Sequence, residues 1–198
     1  MPHARQRPLA RGVLLVVAAA CLVPACKKAE DSGKSAGPTT TSARPAGAAA
    51  GWRTYTSTAA GFSIEFPATP DETASTSKTE RGNPFRLNSA IAHAPGGAVF
   101  SAVRMQGDPP QQTPEQVINS ILAPVARQGI VVSSRDISLA NHPGRELVLH
   151  SDLTHLATRV YYVDGAVYQT TVEYPPALEG QMAGPIERFL NSFKLLAK

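Results

Sequence analysis

From Val13 to Ala25 the chain is almost wholly apolar, and at Cys26 that character ends. The run is too short to cross a bilayer as a helix, which takes about 20 apolar residues. Arg5, Arg7 and Arg11 precede it, and Lys27 and Lys28 follow it. A positive start, a short apolar centre and a small residue before a cut form the layout of a secretory leader. This stretch therefore decides how much of the chain is left to fold. It predicts that residues 1–25 are removed, leaving a mature chain of 173 residues that begins at Cys26.

Val23-Pro24-Ala25-Cys26 has the form of a bacterial lipobox, which predicts a lipid on the Cys26 sulfur. Cys21, after Ala18-Ala19-Ala20, is the rival site, but a shorter apolar stretch precedes it. Cleavage there also leaves Leu22 and Val23 exposed at the mature start. The expectation is an envelope protein held by Cys26 to a membrane, the outer one favoured over the inner. Its domain then lies in the periplasm or at the cell surface. These are the only two cysteines in the chain, so no disulfide staples the rest, and packing alone must hold it.

Charge sharpens the division. The chain carries +4 in total, but the leader holds +3, residues 26–51 hold +2 and residues 52–198 hold −1. The basicity belongs to targeting and tether. Nucleic-acid binding thus loses its electrostatic support, and the cluster beside Cys26 suits anionic headgroups. Residues 27–51 are small, polar and punctuated by proline and glycine, with no aromatic and no large aliphatic side chain. Such a segment buries too little apolar surface to offset the entropy of ordering, and it reads as a spacer reaching about 25–30 Å.

Trp52 opens a 147-residue stretch long enough for one domain with a substantial core. Phe62, Ile64 and Phe66 alternate with Ser63 and Glu65, a strand with one apolar face. Arg53–Thr56 before it makes a hairpin through Ala59-Ala60-Gly61. Phe85–His93 and Ala98–Met105 read as paired strands, with Thr73–Thr79 a weak edge strand or a loop. Thr113-Pro114-Glu115-Gln116 is a helix start with the residues of a capping box. Val117, Ile118, Ile121, Leu122 and Val125 then form one stripe, and Gly129 is a natural stop. Pro124 inside it predicts a bend or a re-start. Four strands follow, Ile130–Leu139, Arg145–Ser151, Leu156–Val163 and Ala166–Tyr174, with turns at Asn141-His142-Pro143-Gly144 and Asp164-Gly165. A last helix is expected from Pro185, with Ile186, Phe189 and Leu190 inward. The prediction is an α+β fold: an antiparallel sheet of six to seven strands plus an N-terminal β-hairpin, with two helices packed on it.

With this order in place, three segments carry a family likeness. Gly61-Phe62-Ser63-Ile64-Glu65-Phe66-Pro67, His142-Pro143-Gly144-Arg145-Glu146 and Arg188-Phe189-Leu190-Asn191-Ser192-Phe193 resemble the PsbP-like domain over residues 52–198. That family includes a photosystem extrinsic protein, Ran-binding nuclear-import factors and bacterial lipoproteins of unknown role. The resemblance implies an α/β/α sandwich that serves as a binding or assembly module rather than an enzyme. It brings no active-site motif to place on this chain.

The residues themselves offer one cluster with chemistry, His150-Ser151-Asp152-Leu153-Thr154-His155. Two positions apart on a strand, His150 and Asp152 share a side, and His155 could return over a turn. Imidazole with carboxylate suits zinc or another divalent ion. No fourth ligand and no partner for each histidine is visible nearby in sequence, so His150, Asp152 and His155 read as solvated residues at a strand end. The expectation is no metal, no cofactor and no catalytic residue. His93 and His142, beside turns, add little. Ser75-Thr76-Ser77-Lys78 matches a Ser-x-x-Lys pattern without a helix signal or its companion motifs. Asp71-Glu72 face opposite ways on a strand. Tyr161, Tyr162, Tyr168 and Tyr174 read as core, with a ligand groove as the alternative.

Three functions follow as expectations. The first is a monomeric anchored module that binds a protein or cell-wall partner. The second is a metal-dependent site at His150, Asp152 and His155. The third is a carrier holding a small apolar ligand between sheet and helix.

Overall fold

The structure, a computed structural model, describes residues 51–78, 82–107 and 111–197. The leader, Cys21, Cys26, spacer residues 27–50 and Thr79 lie outside the described residues. The elements run β1 (Arg53–Ser57), β2 (Phe62–Phe66), β3 (Asp71–Lys78), β4 (Pro84–His93), β5 (Val99–Gly107), α1 (Pro114–Ala126), β6 (Ile130–Leu139), β7 (His142–His150), β8 (His155–Val163), β9 (Ala166–Tyr174), α2 (Glu179–Ser192) and β10 (Lys194–Leu195). One antiparallel sheet of seven strands is ordered β3-β4-β5-β9-β8-β7-β6, and β1-β2-β10 form a second, small one. The α+β architecture expected from the sequence is the one observed.

Alternation decides which side of each strand is buried. Phe62, Ile64 and Phe66 all point inward, and with Phe100, Phe189 and Phe193 they build the larger core between the seven-stranded sheet and α2. Phe189 is 0% exposed and its ring packs 5.2 Å from both Phe66 and Phe100. Trp52 meets Phe100 edge-on at 5.7 Å, and the Arg188 guanidinium lies 5.0 Å from its ring centre. A second, smaller core forms on the opposite face. There Val117, Ile118, Leu122 and Val125 of α1 cover Leu147, Leu156, Val160 and Val167 of the sheet. The result is three layers.

The capping box starts α1 as its residues require: Thr113 Oγ1 accepts from Gln116 N at 3.3 Å, and Gln116 Oε1 accepts from Thr113 N at 3.0 Å. The helix does not re-start at Pro124. It continues to Ala126, with the proline forgoing the one bond its nitrogen would donate one turn back.

Two sequence expectations are corrected. His142 and Pro143 belong to β7, not to a turn; the chain reverses on Ala140 and Asn141, both with positive φ (48° and 67°). Pro143 is tolerated because it pairs only with Ser138 of the edge strand β6, the β8 ladder beginning at Gly144. The second helix starts at Glu179, six residues ahead of Pro185, with Met182 buried in its first turns. Beyond α2, Lys194 and Leu195 add a short strand against Ser63 and Phe62.

Candidate functional site

His150 and His155 are the last paired residues of the β7–β8 ladder. The loop between them is closed by its own polar groups. Ser151 N donates to Thr154 O at 2.9 Å, Ser151 Oγ donates to the same oxygen at 2.8 Å, and Thr154 N donates to Ser151 Oγ at 3.1 Å. In-register partners place their side chains on one face, here the face that carries α2. The two imidazoles stack with centroids 3.7 Å apart and planes 4° from parallel.

The carboxylate beside them is Glu179, in the first turn of α2. Its Oε2 lies 2.5 Å from His155 Nδ1, and its Oε1 lies 3.8 Å from His150 Nε2. Tyr174, the in-register partner of His155 on β9, donates its hydroxyl to Glu179 Oε2 at 2.9 Å. The Tyr174 ring also meets His155 edge-on at 5.5 Å. Burial, and then the bond to Glu179, push the Tyr174 hydroxyl up to about 12, so it remains a donor at neutral pH. The bonds from His155 and Tyr174 hold the Glu179 carboxyl below its usual range. The ligand atoms of His150, His155 and Glu179 all lie within 4.8 Å of one another.

Of the sequence candidates, His150 and His155 are thus brought together, and Asp152 is not. It sits exposed in the loop, outside the convergent group. Its place is taken by Glu179, which sequence reasoning missed. The signal was faint, because Gly180, Gly184 and Pro185 hide the helix that carries it. His93 stands exposed at the end of β4, and Ser75 and Lys78 lie on the wholly exposed strand β3.

The tyrosines are core. Tyr161, Tyr168 and Tyr174 are buried, and Tyr161 stacks on Phe193 at 6.0 Å. Tyr162 packs at the edge of the α1 core. A cleft of about 510 Å³ opens beside Tyr168, but Arg104, His142 and Asp164 contribute to its wall. Such charged and polar lining suits an apolar ligand poorly.

A second polar cluster locks α2 to the sheet. Glu146 accepts from Arg135 Nε at 2.7 Å and from Arg159 Nε at 2.6 Å. Arg159 Nη1 also donates to Leu190 O at 3.0 Å and to Asn191 Oδ1 at 2.9 Å, holding the last turn of α2. A cation at a helix C-terminus is favourably placed. Burial pushes the Glu146 carboxyl up, but the two guanidinium bonds outweigh it and the net shift is downward.

The face opposite α2 is covered by α1 over β7 and β8, with Val167 of β9 and Met105 at the end of β5 reaching the same core. Among the described residues, no element packs over the rest of β4 and β5 there. Leu87 and Ile91 on β4 with Val99 and Val103 on β5 point there, half-buried and outside both cores, with Ser89 opposite Val103 and Ser101 opposite Ile91 among them. Thr73 and Ser75 of β3 border this stripe on one side, and Gln169 and Thr171 of β9 border it on the other.

No family model matches the chain, and no curated protein matches it either. Among solved structures it is similar to the cyanobacterial PsbP protein, CyanoP, of Synechocystis sp. PCC 6803, at 14% identity and a TM-score of 0.42, over 79% of this chain and 98% of that one. It is also similar to PA94 of Pseudomonas aeruginosa, a protein of unknown function, at 18% identity and a TM-score of 0.40, over 69% of this chain and 92% of that one.

Proposed function

We propose that the chain is a lipid-anchored envelope protein whose α+β domain docks a protein partner on the open half of its seven-stranded sheet. The observation that carries the anchor is the arginine-led apolar run ending in Val23-Pro24-Ala25-Cys26. One acyl chain alone binds a membrane only marginally, so stable attachment takes the several chains that lipoprotein processing adds. The spacer then sets the domain away from the membrane surface by roughly the span of a small protein.

The docking reading is supported by the stripe of Leu87, Ile91, Val99 and Val103. Four aliphatic side chains interspersed with Ser89 and Ser101 and bordered by hydrogen-bonding side chains make the mixed apolar and polar surface of a protein interface. It is a broad sheet surface rather than a pit, which favours a protein over a small molecule. A cell-wall glycan offers hydroxyls rather than apolar side chains, and is the alternative that the experiment distinguishes.

The test uses the full chain in intact cells. A photo-crosslinking residue at Val103 is expected to give one discrete protein adduct, while the same residue at Gln181 on α2 gives none. The adduct should vanish with Leu87→Arg. Absence of any adduct, an adduct of equal yield from Gln181, or an adduct digested by a glycan hydrolase overturns the docking reading. Cys26→Ser, in parallel, should abolish fatty-acid labelling and membrane retention; labelling that survives it and is lost in Cys21→Ser moves the anchor to Cys21.

A further inference from the structure

We propose that His150, His155 and Glu179 bind a divalent late transition ion of the zinc, copper(II) or nickel(II) class, with Tyr174 orienting the carboxylate. This goes beyond the docking reading and stands on different residues, so either survives failure of the other.

The donor set selects the ion. Two imidazole nitrogens and one carboxylate oxygen suit zinc, copper(II) and nickel(II). Calcium and magnesium ask for a shell of oxygens, which these residues do not supply. Copper(I) prefers sulfur, and no cysteine lies between Cys26 and the C-terminal Lys198.

Geometry gathers both histidines at one carboxylate. His155 Nδ1 is 2.5 Å from Glu179 Oε2, a hydrogen bond. His150 Nε2 stands 3.8 Å from Oε1, within ion-pair reach but beyond hydrogen-bond distance. An ion at about 2.0–2.2 Å from each donor needs the donors within roughly 4 Å of one another. Closing the present 4.8 Å limit takes side-chain rotations in which Glu179, 51% exposed, gives up its direct bond to His155 Nδ1 and keeps that from the Tyr174 hydroxyl.

Part of the supporting framework is already in place. The hairpin loop fixes the backbone that carries both histidines, and the near-parallel rings, 3.7 Å apart, must tilt toward each other to aim both nitrogens at one ion. The Tyr174 hydroxyl on Glu179 Oε2 is an outer bond of the kind that aims a ligating carboxylate. Four groups from β7, β8, β9 and α2 thus meet at one end of the sheet. Three protein ligands leave positions for water or for a side chain of a bound partner.

The experiment uses the full chain in detergent with Cys21→Ser and Cys26→Ser, so that no thiol competes for metal. Zinc at a hundredfold excess over its Kd should raise the melting temperature by several degrees, whereas magnesium should not. His150→Ala and His155→Ala should each abolish the rise, Glu179→Gln should weaken binding at least tenfold, and Tyr174→Phe should weaken it about tenfold. Asp152→Asn should change nothing. If a histidine variant fails to fold, copper(II) bound to the parent chain reads the site directly, since its electron paramagnetic resonance spectrum should show two imidazole nitrogens. No melting rise with any of the three ions overturns the proposal. So does a rise that persists in Glu179→Gln at unchanged affinity, or bound copper without nitrogen splitting.

Discussion

His150 and His155 stack at 3.7 Å because they are in-register partners at the loop end of one hairpin, five residues apart in sequence. Register does what sequence distance cannot. A pair read along the chain as two solvated residues becomes a stacked pair facing one carboxylate once Ser151 and Thr154 close the loop.

Stacking and ligation are separable. His150→Phe keeps a flat ring against His155 but removes both nitrogens. It is expected to change stability by less than about 1 kcal/mol, a modest effect for a half-exposed position, and to erase the zinc response. Thermal melts with and without zinc read both quantities. A loss of several kcal/mol without metal would show that the His150 nitrogens hold the fold itself.

Gly129, just before β6, bears on the same site from outside. A Cβ there would run into the backbone oxygen of His150 and come within 2.9 Å of Leu149 Cδ2. Backbone cannot yield as a side-chain tip can, so Gly129→Ala must move the β7 strand end. The variant should lose about 1–3 kcal/mol, as overpacked positions do, and should bind zinc more weakly although no ligand is altered. Urea unfolding and a zinc titration check the two parts.

Glu146 sets the acid limit of the fold. A carboxyl held below its usual value contributes stability that is present above the unfolded value of about 4.3. That contribution is lost as pH falls through the lower folded value. Glu146→Gln should therefore be less stable at pH 7, by about 1.5–3 kcal/mol for the two charged hydrogen bonds weakened. The difference from the parent should shrink as pH drops below 4. Melting curves from pH 7 to pH 2 test this; a gap that widens on acidification contradicts the role given to Arg135 and Arg159.

What the sequence made legible is what local chemistry fixes. Thr113 through Gln116 encode α1 by capping, and Phe62, Ile64 and Phe66 encode β2 by alternation; both elements lie where those signals put them. Asp164 and Gly165 turn with positive φ, as a tight hairpin requires. The start of α2 was hidden because Gly180, Gly184 and Pro185 each disfavour a helix, and burial of Met182, Phe189 and Leu190 overrides them. Pro143 misled as a turn residue because only the sheet order shows that one of its sides is unpaired. The candidate site was half legible for the same reason. His150 and His155 are near in sequence, whereas Glu179 reaches them only through the packing of α2 on β8 and β9.

The central claim is that this domain works from a membrane, held there by the lipid on Cys26. Intact mass of the protein extracted from native membranes tests it most directly. The account predicts one species equal to residues 26–198 plus a diacylglyceryl group and a further acyl chain or free amine at Cys26. A mass matching unmodified residues 1–198, or a lipidated chain beginning at Cys21, would contradict it.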